Sequence, residues 1–171
     1  MKKDLLICKM ISGDKKIKLT VEEWSNLARK GTMIPLTTCL HGSSMEPLIR
    51  YMKDSITIIP VNRQLKVGDI VLYRRTDGKY VVHRLYRIIE DEKLVQTWGD
   101  NCYKPDPLMP ISSILGIALY LQKNGKQQLL DTDEQRKRGI NWINSKYRRK
   151  GWMEYKKIRR KIGNVLRKMT Y

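Results

Sequence analysis

Between Met33 and about Leu130, apolar residues arrive in short runs broken by turn residues, a pattern that predicts strands. "SITIIPV" (55–61) is β-branched, and Pro60 puts its end at an edge or a bulge because proline donates nothing to a ladder. "GDIVLYRR" (68–75) follows a turn at Val67-Gly68-Asp69. Thr76-Asp77-Gly78 then carries the Asp-Gly hairpin signal into "KYVVHRLYRII" (79–89). "KLVQTW" (93–98) reads as a further antiparallel partner and "ILGIALYL" (114–121) as a buried strand. The expected fold is mainly β, a coiled and mostly antiparallel sheet.

Two stretches have helical periodicity instead. In "TVEEWSNLARK" (20–30), Thr20 followed by Glu23 fits a capping box and Gly31 stands where a helix would stop. Beyond Asp133, Tyr155, Ile158, Ile162, Val165, Leu166 and Met169 recur at steps of three and four, with Lys and Arg filling the other positions. The chain therefore divides into an N-terminal extension with a short helix (1–32), a β-domain (33–132) and a basic helical tail (133–171).

Charge sharpens that division. The formal charge is +18, and residues 133–171 hold 14 basic side chains against Asp133, Glu134 and Glu154. Two readings of the tail stay open. It packs on the β-domain with a solvated charged back, or it lies on an anionic membrane with Trp142 and Trp152 at headgroup level. Specific nucleic-acid binding is not expected. No helix-turn-helix or zinc-finger spacing accompanies the charge, and Lys/Arg alone supplies only non-specific affinity.

Other classes are excluded more simply. The longest apolar run, Ile114 to Leu121, falls far short of the roughly 20 residues that cross a bilayer. Leu5 to Cys8 is too short for a secretory signal, whose apolar region needs about 7–15 residues. Cys8, Cys39 and Cys102 are odd in number and lack metal-ligand spacing, so they read as reduced thiols, with no metal or cofactor expected. The expected location is cytoplasmic, free or peripherally attached to the membrane.

Candidate chemistry begins at "HGSSMEPLI" (41–49), where a small-residue turn presents Ser44. A free serine is a weak nucleophile and needs a base. The chain has two histidines. His41 is too close along the same turn, which leaves His83. Alternation puts His83 on one strand face with Val81 and Leu85, where a lone imidazole is more often structural than catalytic. "WGDNCYKPDP" (98–107) supplies Asp100 and Asp106, either able to orient a histidine and both ordinary turn residues.

Taken in order, "GSSMEPLI", "VGDIVLYR", "YVVHRL", "WGDN" with a later aspartate, and "ILGIAL" resemble the signal peptidase I family and its self-cleaving repressor relatives. The resemblance runs from about Gly42 to Tyr120 and implies a signal-peptidase-like β-fold. It implies Ser44 as nucleophile, His83 as base in the histidine branch, Asp106 as the catalytic aspartate that orients His83 and Asp100 as a secondary or structural carboxylate. Met45 and Pro47 would set the turn and line the substrate groove, with Glu46 outward. The Ser44 N–H would serve the oxyanion hole, where losing a donor costs roughly 3–4 kcal/mol. Gly42 stands where many members carry a serine, so the Gly42 N–H or the Ser43 hydroxyl would complete the hole.

The usual membrane anchor has no counterpart in residues 1–41, since "VEEWSNLARKGTMIPLTTCL" cannot span. The expected activity is thus serine endopeptidase action on a leader, signal-like or precursor peptide. The alternatives are a self-cleaving regulator and a non-catalytic scaffold. The first uses lysine where His83 stands and needs a DNA-binding domain of about 60 residues.

Overall fold

Alternating burial along the strands shapes the molecule. In the computed structural model, which describes residues 8–12, 15–91, 93–145, 151, 154, 155, 157–159 and 162, β-strands predominate. In chain order they are β1 (Cys8–Ser12), β2 (Lys15–Leu19), β3 (Leu36–Cys39), β4 (Ser55–Pro60), β5 (Ile70–Arg74), β6 (Tyr80–Ile89), β7 (Leu94–Trp98), β8 (Met109–Pro110), β9 (Ile114–Lys123) and β10 (Lys126–Leu129). Helix α1 (Val21–Arg29) precedes β3 and α2 (Asp133–Asn144) follows β10.

The strands form one curled antiparallel half-barrel in the order β2-β1-β3-β4-β9-β5-β6-β7-β8, with β10 also on β9. Register shifts between Thr57 and Ile58, Leu72 and Tyr73, and Leu85 and Arg87 bend the ladders where they occur. Pro60 closes β4, an interior strand, as its last residue. The β3 ladder ends at the Leu36–Ile58 pair, so Pro60 is paired on one side only, with Gly116 of β9, and the strand's end is locally an edge as expected.

Two apolar layers follow from the alternation. One holds Trp24, Leu36, Met45, Ile49, Ile56, Ile58, Leu72, Val82 and Leu121. The other holds Val71, Tyr73, Leu85, Val95 and Ile117. The hairpin expected at 76–78 joins β5 to β6, and Gly78, at φ 81°, adopts the left-handed conformation its turn needs. Helix α1 has the expected capping box: Thr20 Oγ1 accepts from the Glu23 N–H while the Glu23 carboxylate accepts from the Thr20 N–H. Its Trp24 is buried and donates from the indole to the Ile34 carbonyl at 2.8 Å.

The division at 32 and 132 changes in two places. Strands β1 and β2 pair with each other and extend the sheet through β3, beyond the single helix expected there. Residues 133–144 belong to the β-domain and not to a separate tail. Ile143 is buried, and Arg136 donates to Asp69, Asp131 and Asp133, tying α2 to the segment before β5. Trp142 is half-buried and donates to the Asp100 carbonyl at 2.8 Å, which fastens α2 to the loop after β7.

Trp152, Val165, Leu166 and Met169 lie outside the described residues. Tyr155, Ile158 and Ile162 are helical and more than half exposed. Among the described residues, no helix is long and apolar enough to cross a membrane.

Candidate active site

β6 sets two neighbours to opposite tasks, because successive side chains leave a strand on opposite faces. His83 faces the second apolar layer with Tyr73 beside it, their ring centroids 6.2 Å apart. Arg84 points the other way, toward α2.

Asp106 reaches His83 because β7 and the following loop hold it at several points. The Asp106 N–H donates to the Thr97 carbonyl at 2.8 Å, and Gln96 Nε2 donates to the Asp106 carbonyl at 2.9 Å. Thr97 Oγ1 donates to Asp106 Oδ2 at 2.7 Å, and that same oxygen lies 2.6 Å from His83 Nδ1. The Tyr73 hydroxyl stands 3.4 Å from Nδ1 as well.

Burial alone would lower the imidazole pKa. The hydrogen bond to Asp106, the neighbouring Cys102 thiol and the Asp106 charge outweigh it, and the pKa rises to about 9. Asp106 shows the converse: burial would raise its pKa, but the hydrogen bond and charge of His83, with the Thr97 hydroxyl, hold it below the usual carboxylate range. With Nδ1 committed to Asp106, Nε2 is the nitrogen left to exchange a proton.

Ser44 is carried on a turn anchored from below and from the side. Met45 and Ile49 are fully buried, and the Ile49 N–H donates to the Met45 carbonyl at 3.0 Å. Lys123 Nζ donates to the carbonyls of Pro47 and Leu48 at 2.9 and 2.7 Å. Across the site, Asn101 stitches the turn to the 99–106 loop. Its N–H donates to the Ser44 carbonyl at 2.7 Å and its side-chain amide to the Ser43 carbonyl at 2.8 Å.

Gly99 is the meeting point. A Cβ there would lie 2.9 Å from both the Ser44 carbonyl oxygen and His83 Nε2, so those atoms are at most twice that distance apart. Among the described residues no hydrogen bond joins Ser44 Oγ to His83. The amides of Gly42 and Ser44 donate no hydrogen bond among the described residues.

A cleft of about 810 Å³ opens beside the turn, with Leu36, Leu40, Gly42, Ser44, Leu72 and Val82 in its wall. His41, exposed, lines it too. Met45 is not part of this wall; its side chain is fully buried in the apolar layer. Ser43 and Pro47 are also off the cleft wall, their carbonyls bound to Asn101 and Lys123. Glu46 is half-buried, and its carboxylate accepts from the Tyr51 N–H at 3.3 Å.

Of the two loop aspartates, only Asp106 meets the imidazole. Asp100 is buried, and its carboxylate forks onto Arg84, accepting from Nε at 2.9 Å and from Nη2 at 2.8 Å. Asp100 is thus held by Arg84, apart from His83, and pins the loop to β6. α2 can lie over the pair because it carries Gly139 there; a Cβ at that position would collide with the Arg84 guanidinium.

Thr97, Asn101 and Cys102 entered the site without a sequence forecast. Alternation along "KLVQTW" put Thr97 on the same face as Val95, which was a usable signal; nothing local marked Asn101 or Cys102. Among the described residues no group of three or more His, Cys, Asp or Glu side chains is arranged to hold a metal ion. No family model, curated protein or solved structure matches the chain, so the site is read from its own chemistry.

Proposed function

We propose that this protein is a serine endopeptidase of the signal-peptidase-like class, acting on a leader, signal-like or precursor peptide. The observation that carries the reading is the convergence at Gly99, where the Ser44 turn abuts Nε2 of an imidazole whose other nitrogen is held by Asp106.

In this mechanism Ser44 Oγ attacks the scissile carbonyl carbon and His83 Nε2 takes the hydroxyl proton. Asp106 holds the tautomer and stabilises the imidazolium. The Ser44 and Gly42 N–H groups donate to the developing oxyanion. His83 then protonates the leaving amine, and water enters by the same proton path to release the acyl group. The hydrogen bond between serine and base forms when substrate is bound, as catalytic bonds that are long in the free enzyme commonly tighten in the complex. The apolar wall of Leu36, Leu72 and Val82 favours uncharged side chains near the scissile bond.

The basic C-terminal stretch supplies a second element of the reading, peripheral attachment to an anionic membrane surface. Residues 146–171 alone hold 11 basic side chains and one acidic one, Glu154. The test of the peptidase reading is cleavage of a fluorogenic peptide library by wild type and by Ser44→Ala. Loss of turnover in the variant supports it, and wild-type turnover in the variant removes it.

A further inference from the structure

The side of the imidazole that a nucleophile must approach is shared with a thiol. A Cβ on Gly99 would lie 2.6 Å from Cys102 Sγ and 2.9 Å from His83 Nε2, so glycine is what allows sulfur and ring to share that space. The thiol is aimed by its backbone. The Cys102 N–H donates to the Gly99 carbonyl at 2.8 Å, and the Cys102 carbonyl accepts from Trp98 Nε1 at 3.0 Å. The ring it faces is more than nine-tenths buried, with its other nitrogen committed to Asp106. Cys102 itself is free and half-exposed.

We propose that Cys102 is a thiol-modification site at which a low-molecular-weight disulfide shuts the candidate active site reversibly. The shut-down rests on the peptidase reading; the modification does not. In the neutral form of the ring His83 Nε2 takes the Cys102 proton, and the thiolate attacks one sulfur of the disulfide. A Cys102–sulfur bond forms as the incoming S–S bond breaks. The other half departs as a thiolate and recovers the proton from the imidazolium. One disulfide replaces another, and no further oxidant is needed. The attached group then fills the space between Nε2 and the Ser44 turn, which the serine's proton must cross. A second thiol reverses the exchange.

Cys39, also free and half-buried, is the internal reference. The test treats the full chain with glutathione disulfide and follows each cysteine by peptide mass mapping. Peptide cleavage is read in parallel as the ratio of treated to untreated protein. Cys102 is expected to react at least about tenfold faster than Cys39 in wild type and in Ser44→Ala, and to lose that advantage in His83→Gln. Wild-type cleavage is expected to fall about tenfold or more as Cys102 is modified and to return with dithiothreitol, while the ratio for Cys102→Ala stays near one.

A Cys102 rate no greater than that of Cys39 in wild type overturns the site, whether or not the histidine variant folds. An undiminished rate in a folded His83→Gln overturns the role of the imidazole. Full cleavage with Cys102 modified overturns the shut-down. Should Ser44→Ala cleave like wild type, the peptidase reading fails while the comparison of thiols still decides the modification.

Discussion

Asp106 Oδ2 lies 2.6 Å from His83 Nδ1, and that contact orients the imidazole with Nε2 toward the Ser44 turn. It also governs pH dependence. With a pKa near 9 the ring is protonated at neutral pH, so kcat/KM for peptide cleavage is expected to climb with pH up to about 9. Asp106→Asn should move that limb to lower pH and cut the plateau about 10³-fold or more. An unmoved limb would mean that Asp106 does not govern the titration.

The same pair makes a stability prediction of opposite slope. The folded pKa of His83 exceeds its ordinary 6.5, so its contribution is fully present below that value and is lost as pH rises through about 9. On the acid side, protonating Asp106 removes the pairing again, because its pKa is depressed in the fold. Thermal unfolding of wild type, compared with Asp106→Asn across this range, should show a difference that shrinks above pH 9.

Gly99→Ala probes the convergence point directly. The new methyl would press on Cys102 Sγ, His83 Nε2 and the Ser44 carbonyl at once, and the last belongs to the backbone of an anchored turn. Overpacking of this kind costs about 1–3 kcal/mol. Because the displaced groups include the proposed base, cleavage should fall at least tenfold in protein that urea titration shows to be folded. Unchanged kcat at reduced stability would separate Gly99 from the chemistry.

Arg84 and Asp100 form a buried pair, and breaking one side strands the other. Arg84→Met should destabilise the fold by about 3–5 kcal/mol in denaturant titration. Replacing both, as Arg84→Met with Asp100→Leu, should recover part of the loss because no uncompensated charge remains. A double variant no more stable than the single one would show that the Arg84 bond to the Gly68 carbonyl matters more than charge balance.

Membrane attachment has its own measurement. Wild type should sediment with vesicles rich in anionic lipid and much less with neutral ones, with binding weakened by salt. Replacing the basic residues of 146–171 with glutamine should abolish sedimentation. Truncation at Asp133 is the wrong control, since it also removes Ile143 from the core and uncovers the Arg84–Asp100 pair.

Much of the architecture was readable along the chain because its causes are local. Alternating burial in "SITIIP", the Asp77-Gly78 turn and the Thr20–Glu23 capping box each depend on residues a few positions apart, and each corresponds to an observed element. Local spacing also put Ser44 on a turn and His83 on an apolar strand face. The pairing of β1 with β2 was missed, those strands being short and rich in lysine.

Which groups meet is another matter. His83 and Asp106 are 23 residues apart, and Ser44 and Asn101 are 57 apart in sequence; only the register of β6 on β7 and the course of the 99–106 loop unite them. Those same long-range constraints sent Asp100 to Arg84, buried Met45, drew Trp142 onto the domain and brought Cys102 to the imidazole. Period and turn chemistry act through neighbours along the backbone and are written in order. Partnership across the sheet depends on how every strand is bent and stacked, a property of the packed chain as a whole.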